Sequence, residues 1–218
     1  VERLVIDALR AERPGDAVLT EESGTHRGAE GAPVRWILDP IDGTVNYLYG
    51  VPHYGVSLAA EVGGEVVAGV VHNAATGASW TAVRGRGAYR DGRRLGGSGA
   101  DDLAGSLVAT GFGYAPGRRA HQARVLAGLA ERIRDIRRFG AAALDLCLAA
   151  EGVVDAFYEK GLNLWDFAAG ALIATEAGLL VTGADGGLPD GGLVVAAPPG
   201  IHAALLDALA ALGAADGP

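Results

Sequence analysis

The chain lacks methionine entirely and holds one cysteine, Cys147, in 218 residues. A single thiol cannot close an intramolecular disulfide, which points to a reducing, cytoplasmic setting. Cys147 itself lies in the apolar run AAALDLCLAA and reads as a small buried hydrophobe. With no methionine, and with Val1 falling inside what reads as an amphipathic helix, the expectation is that further chain precedes this one. No apolar run approaches the roughly 20 residues that a bilayer-spanning helix needs, and no secretory signal is visible. Basic residues are also scarce: 18 Lys and Arg against 26 Asp and Glu give a net charge of -8. That balance disfavours a general nucleic-acid or anionic-membrane binder, which normally shows a basic face. The histidines show no close metal-ligand spacing, and there is no G-x-S-x-G elbow. GFGYAP follows a strand as a dinucleotide loop does, but Pro116 in its sixth position argues against that use.

What is present is a chain 50% hydrophobic, enough for a substantial core. Val1, Leu4, Val5, Ala8 and Leu9 repeat at helical spacing until Pro14 and Gly15. AVLT reads as a strand leading into Glu21 and Glu22, GTHRGAEGAP as a loop, and VRWIL as a strand delivering Asp39. YGVSLAAEV and EVVAGVVHN, joined by Gly63-Gly64, predict a hairpin. Further short strands are expected around Trp80 and Tyr89. After residue 100 strands and helices alternate: SLVAT, a helix near 119–132, DIRRF, a helix near 141–151, VVDAFYE, a helix over 165–177, two short strands and a final Ala/Leu helix. The pattern is mixed α/β or layered α+β, in one domain over 1–218 with a β-rich half (1–100) and an alternating half (101–218).

The chemistry concentrates in WILDPIDGTVNY. Two carboxylates about 5 Å apart at an effective dielectric near 20 repel by roughly 3 kcal/mol. Asp39 and Asp42 therefore need compensation, and no lysine or arginine lies between Arg35 and Arg84. A hard cation, Mg²⁺, Mn²⁺ or Ca²⁺, is the better remedy. An EF-hand is excluded, because position 12 counted from Asp39 is Gly50 where a glutamate is required. Gly43 and Thr44 then let the chain turn and offer backbone N–H groups to a phosphate. Farther on, Asp166 falls in the first turn of an apolar helix, and Glu159 ends a strand. Cation ligands beside anion donors describe a metal-dependent phosphoryl site.

EES at 21–23, WILDPIDGTVNYLYGVPHYGVSLA at 36–59 and WDFAAGALIATEAG at 165–178 together resemble the inositol monophosphatase family of Mg²⁺-dependent, lithium-sensitive phosphatases. The resemblance runs through GRGAYRDGRRL and LCLAAEGVVDAFYEKG. It implies a layered αβαβα sandwich of the inositol monophosphatase and fructose-1,6-bisphosphatase type, a homodimer, and two or three Mg²⁺ per site. By the same resemblance Glu21 matches a ligand of the first metal, Asp39 the ligand shared by two, and the Ile41 carbonyl a further ligand. Asp42 and Asp166 match ligands of the second metal. Glu21, Asp42 and Thr44 match catalytic positions, with Thr44 orienting the attacking water, and Gly43 and Thr44 match the phosphate turn. Ala142, Glu159 and Asp166 match positions that meet the substrate. Ala141 stands where many members have serine or threonine. The family carries two more N-terminal helices, with an aspartate that would lie just upstream of Val1.

The expected activity is hydrolysis of a small sugar or cyclitol phosphate, inositol 1-phosphate first. Histidinol phosphate and fructose 1,6-bisphosphate stay open. Val45-Asn46 after Thr44 differs from the Lys-Glu of relatives acting on 3′-phosphoadenosine 5′-phosphate. A non-catalytic regulatory protein working through protein contacts is the alternative of another class.

Overall fold

In the computed structural model, which describes residues 1–217, the chain opens with helix α1 (Glu2–Glu12). Its buried positions are Glu2 and Ile6, while Leu4 is 75% exposed, so the inward face is turned from the one that apolar spacing alone suggests. Glu2 is the reason. Its carboxylate accepts hydrogen bonds from the Thr20 and Ser23 hydroxyls and from the Glu22 amide, which draws that face of α1 onto the following turn.

The first sheet has eight strands in the order β2-β1-β3-β4-β5-β6-β7-β8. They span Ala17–Thr20 (β1), Gly24–His26 (β2), Val34–Asp42 (β3), Gly55–Val62 (β4), Glu65–Asn73 (β5), Ser79–Val83 (β6), Ala88–Arg90 (β7) and Arg93–Arg94 (β8). Only β1 and β3 run parallel among its pairs; the rest are antiparallel. Strand β2 lies where the sequence suggests only loop, because the turn at Glu21–Ser23 folds Gly24–His26 back along β1 as an edge strand. Gly63 and Gly64, with φ of 59° and 85°, make the β4–β5 turn in the left-handed conformation that two-residue hairpins favour.

The second sheet, ordered β10-β9-β11-β13-β12, comprises Leu107–Thr110 (β9), Asp135–Arg137 (β10), Ala156–Glu159 (β11), Leu180–Thr182 (β12) and Val194–Ala197 (β13). Strands β10, β9 and β11 run parallel; β13 is antiparallel to β11 and β12. Helices α4 (Ala142–Glu151) and α5 (Leu164–Glu176) fill the space between the sheets. Both are apolar almost all round, as a doubly covered layer requires. Their core joins Ile37, Val71 and Trp80 of the first sheet to Phe157 and Val194 of the second. Each large side chain fully buried there contributes about 1.5–3 kcal/mol. Close approach needs small residues: a Cβ on Gly69 of β5 would lie 3.1 Å from the Ala169 backbone, and one on Gly170 would lie 2.9 Å from Leu146.

The outer face of the second sheet packs Val108, Tyr158 and Val195 against α3 (Pro116–Leu129) and α6 (Pro199–Ala211) through Val125, Leu129, Ile201 and Leu205. Helix α3 starts three residues earlier than the apolar pattern indicates, since Pro116 sits in its first turn, where its missing N–H costs nothing. A short 3-10 turn at Leu103–Gly105 links the halves. With α1 against β3, the layers read helix, sheet, helices, sheet, helices, the expected αβαβα order.

Candidate active site

Strand β3 brings its two aspartates to one side by an irregularity. Asp39 pairs with Ser57 and Asp42 with Gly55, so three steps on β3 match two on β4. In a regular strand, residues three apart point to opposite faces. The extra residue at Pro40-Ile41 makes a bulge, and both carboxylates line the same cavity. Pro40 has no N–H to place in the ladder, and the Ile41 amide donates to Asp39 Oδ1 at 2.9 Å. Parallel pairing of Thr20 with Leu38 sets the next residues, Glu21 and Asp39, side by side at the strand ends.

After the bulge, Gly43 has φ of 83° and precedes helix α2 (Thr44–Tyr49). A side chain at 43 would fail twice, since an added Cβ would lie 2.9 Å from the His53 carbonyl oxygen and 3.0 Å from Ala141 Cβ. The Thr44 hydroxyl donates to the Ile41 carbonyl at 3.0 Å. The first-turn amides of α2 have no partner inside the helix, as at any helix start.

Asp42 crosses to the other half of the molecule. Its carboxylate accepts from the Ala142 amide (3.1 Å) and the Ala143 amide (2.9 Å), and so caps α4, whose own Ala141 supplies no side-chain cap. Asp166 is the third residue of α5. Its carboxylate accepts from the Asn163 amide at 2.6 Å while Asn163 caps the helix in return, so it is a capping residue and a cavity residue at once.

The cavity holds about 290 Å³ and lies between the halves. Every candidate from the sequence lines it: Glu21, Asp39, Ile41, Asp42, Gly43, Thr44, Ala142, Glu159 and Asp166. Sequence reading passed over Tyr114, Arg118, Arg138, Lys160 and Asn163, which also line it. The GFGYAP segment has its explanation here. A Cβ on Gly111 would come within 2.0–2.3 Å of the Glu159 carboxyl, so this loop is bare to make room for that side chain.

Electrostatically the site is under tension. Burial, then the fields of Asp42, Glu21 and Asp166, push Asp39 up to about 9. Burial and neighbouring Asp145 and Asp166 push Asp42 up to about 8, against the pull of the α4 amides. Glu159 keeps some surface, yet its carboxyl is enclosed enough that burial, with Asp145 and Asp42, raises it to about 8. Glu21 and Asp166 are also raised, chiefly by burial. Among the described residues, no lysine or arginine comes within 4.0 Å of these five carboxylates, although Arg118, Arg138 and Lys160 reach the cavity. Nor do any three acidic, histidine or cysteine side chains among the described residues converge into a ready ligand shell. Asp39, Asp42 and Asp166 are each drawn instead to backbone N–H groups. Four carboxylates and the Ile41 carbonyl, all oxygen and without a paired lysine or arginine among the described residues, fit a hard divalent cation by donor chemistry. Cys147 is fully buried, and burial pushes its thiol well up, so it takes no part.

Comparison with known proteins bears out the family resemblance and the fold. A family model described as the inositol monophosphatase family matches residues 1–214. The inositol-1-monophosphatase SuhB of Mycobacterium tuberculosis is 49% identical over 218 residues, covering 95% of this chain and 74% of that protein. The Nus factor SuhB of Escherichia coli is 42% identical over 187 residues, covering 85% of this chain and 70% of that protein. Among solved structures, Mycobacterium tuberculosis SuhB superposes with a TM-score of 0.86 at 46% identity, covering 99% of this chain and 84% of that one.

Proposed function

From the premise that this chain belongs to the inositol monophosphatase family, we propose that it is a Mg²⁺-dependent phosphomonoesterase acting on a small phosphorylated cyclitol or sugar, inositol 1-phosphate first. The observation that carries the reading is that Glu21, Asp39, Asp42 and Asp166 line one small cavity with, among the described residues, no lysine or arginine within 4.0 Å to pair with them.

Glu21, Asp39, the Ile41 carbonyl, Asp42 and Asp166 would hold the Mg²⁺. When bound there, Mg²⁺ supplies charge neutralisation at the phosphoryl group and acidifies water. The protein's own groups do the rest. Thr44 Oγ1 gives its hydrogen to the Ile41 carbonyl, so its oxygen is left as an acceptor that orients the attacking water. Glu21, its carboxyl raised by burial and then by the field of Asp166, would hold the same water and accept its proton. The first-turn amides at Gly43-Thr44 take phosphate oxygens. Water oxygen bonds to phosphorus, the P–O ester bond breaks with its electron pair on the leaving oxygen, and the proton held by Glu21 passes through solvent to complete the leaving alcohol. Glu159, its carboxyl pushed up to about 8 by burial and then by Asp145 and Asp42, would hydrogen-bond a hydroxyl of the polyol, beside Ala142 and Asp166.

Phosphate release from inositol 1-phosphate, histidinol phosphate and fructose 1,6-bisphosphate, with and without Mg²⁺, tests the reading. Mg²⁺-dependent turnover led by inositol 1-phosphate supports it; no turnover and no Mg²⁺ binding overturns it. The name Nus factor, carried by the Escherichia coli relative, favours a second reading, a regulatory role through protein contacts. That reading gains if Mg²⁺ binding is absent.

A further inference from the structure

Away from the carboxylates already described, one more acid is buried among the described residues. Asp145 lies on α4 with no exposed surface, and His53, in the loop after α2, shares a 2.8 Å hydrogen bond between its Nε2 and Asp145 Oδ1. Among the described residues, Asp145 Oδ2 has no hydrogen-bond partner. A buried pair of this kind is held at a cost, and apolar side chains of similar volume would fill the same space at equal or lower free energy. Core filling therefore does not account for it.

Position does. The His53 carbonyl accepts from Asn46 Nδ2 at 2.7 Å, and the same amide nitrogen donates to the Phe139 carbonyl at 2.8 Å. The His53 ring packs on Phe139, with ring centroids 5.3 Å apart. The His53 carbonyl is also the atom against which Gly43 is fitted. His53 thus touches the turn at Gly43 with its backbone and α4 with its side chain, one turn from the Ala142 and Ala143 amides that hold Asp42. We propose that His53 and Asp145 are a positioning pair: they fix the Gly43-Thr44 turn of the first half against the start of α4 in the second, and so set the distance between phosphate donors and the Asp42 carboxylate.

The kinetic part of this inference rests on the phosphatase reading; the structural part does not. The test uses His53→Phe, Asp145→Leu, the double variant His53→Phe/Asp145→Leu and the conservative His53→Gln, all in the full chain. The readouts are kcat and KM for inositol 1-phosphate with Mg²⁺, thermal stability, and amide hydrogen exchange over residues 43–49 and 141–145. Each single variant should lose about 10- to 100-fold in kcat, the scale of a misplacement near 1 Å, with faster exchange in both segments. His53→Gln, which keeps a donor, should recover most of the rate. The double variant leaves no orphaned partner, so it should recover stability without recovering kcat. It also carries the test if a single variant does not fold. A double variant with native kcat and native exchange overturns the proposal, as does a glutamine variant no better than phenylalanine. If the unaltered protein hydrolyses no phosphate ester, the phosphatase reading falls and exchange alone decides: faster exchange in the double variant supports the pair, unchanged exchange overturns it.

Discussion

Asp42 accepts from two amides of α4 and lies in the field of Asp145 and Asp166, so one side chain joins the helix cap to the acidic cluster. Asn at this position keeps a single acceptor oxygen, and one α4 amide loses its partner, at about 1–3 kcal/mol. Asparagine has no charge to acquire as pH rises through about 8, and that offsets part of the loss. Asp42→Asn should therefore fold, with stability changed little, while Mg²⁺-dependent turnover falls more than about a hundredfold, beyond what outer-shell ligand partners typically cost. Steady-state kinetics beside urea denaturation check both halves, and a variant with near-native turnover removes Asp42 from the site. Gly111 allows a second, subtler test. Gly111→Ala drives a methyl into the Glu159 carboxyl and should raise KM for inositol 1-phosphate about tenfold, as Glu159→Ala should, through one lost hydrogen bond. Combining the two should add nothing further, and additive effects would separate Gly111 from Glu159. The sequence made Asp39, Asp42 and Thr44 legible as cavity residues because they stand in one short motif whose local chemistry is visible, and Asp166 through the family resemblance. It hid Gly111 facing Glu159, and His53 facing Asp145, because those partners lie 48 and 92 residues apart and only the fold joins them.

Elements followed the same division between local and distant causes. The β4–β5 hairpin was readable because Gly63-Gly64 is itself the turn, and α5 because an apolar run follows Asn163 and Asp166. Strand β2 and the start of α3 were not, since an edge strand takes its identity from pairing with β1, and α3 takes its first turn from Pro116. The inward face of α1 was misjudged because a buried glutamate, not an apolar stripe, anchors it. The hairpin turn offers a prediction free of function. Gly63 has φ of 59°, with open space where a Cβ would go, and asparagine tolerates that conformation. Gly63→Asn should stabilise the protein by about 0.4–1 kcal/mol by narrowing the unfolded ensemble. Urea midpoints measure it, and a destabilised variant would contradict the turn geometry.

At the scale of the whole molecule, Glu21, Asp39 and Asp42 come from the first sheet's end, while Glu159 and Asp166 come from the second half, so the cavity concentrates like charge at the junction of the two. Asp39, Asp42 and Glu159 hold protons in the folded chain up to about 9, 8 and 8 that the unfolded chain has released. A carboxyl raised in this way contributes stability that is fully present below about pH 4 and is lost as pH climbs through its folded value. Between about pH 7 and about pH 9 the chelated protein should therefore lose thermal stability, at about 2–4 °C per kcal/mol for a chain of this size. A divalent cation bound to the ionised carboxylates reverses that trend, because binding to the folded state alone adds stability by mass action and strengthens as protons leave. Melting curves across this range, with EDTA and with Mg²⁺, should diverge as pH rises. Parallel curves would mean that the carboxylates are neutralised from within the chain, and Asp42→Asn should narrow the gap by removing one of the charges that the cation offsets.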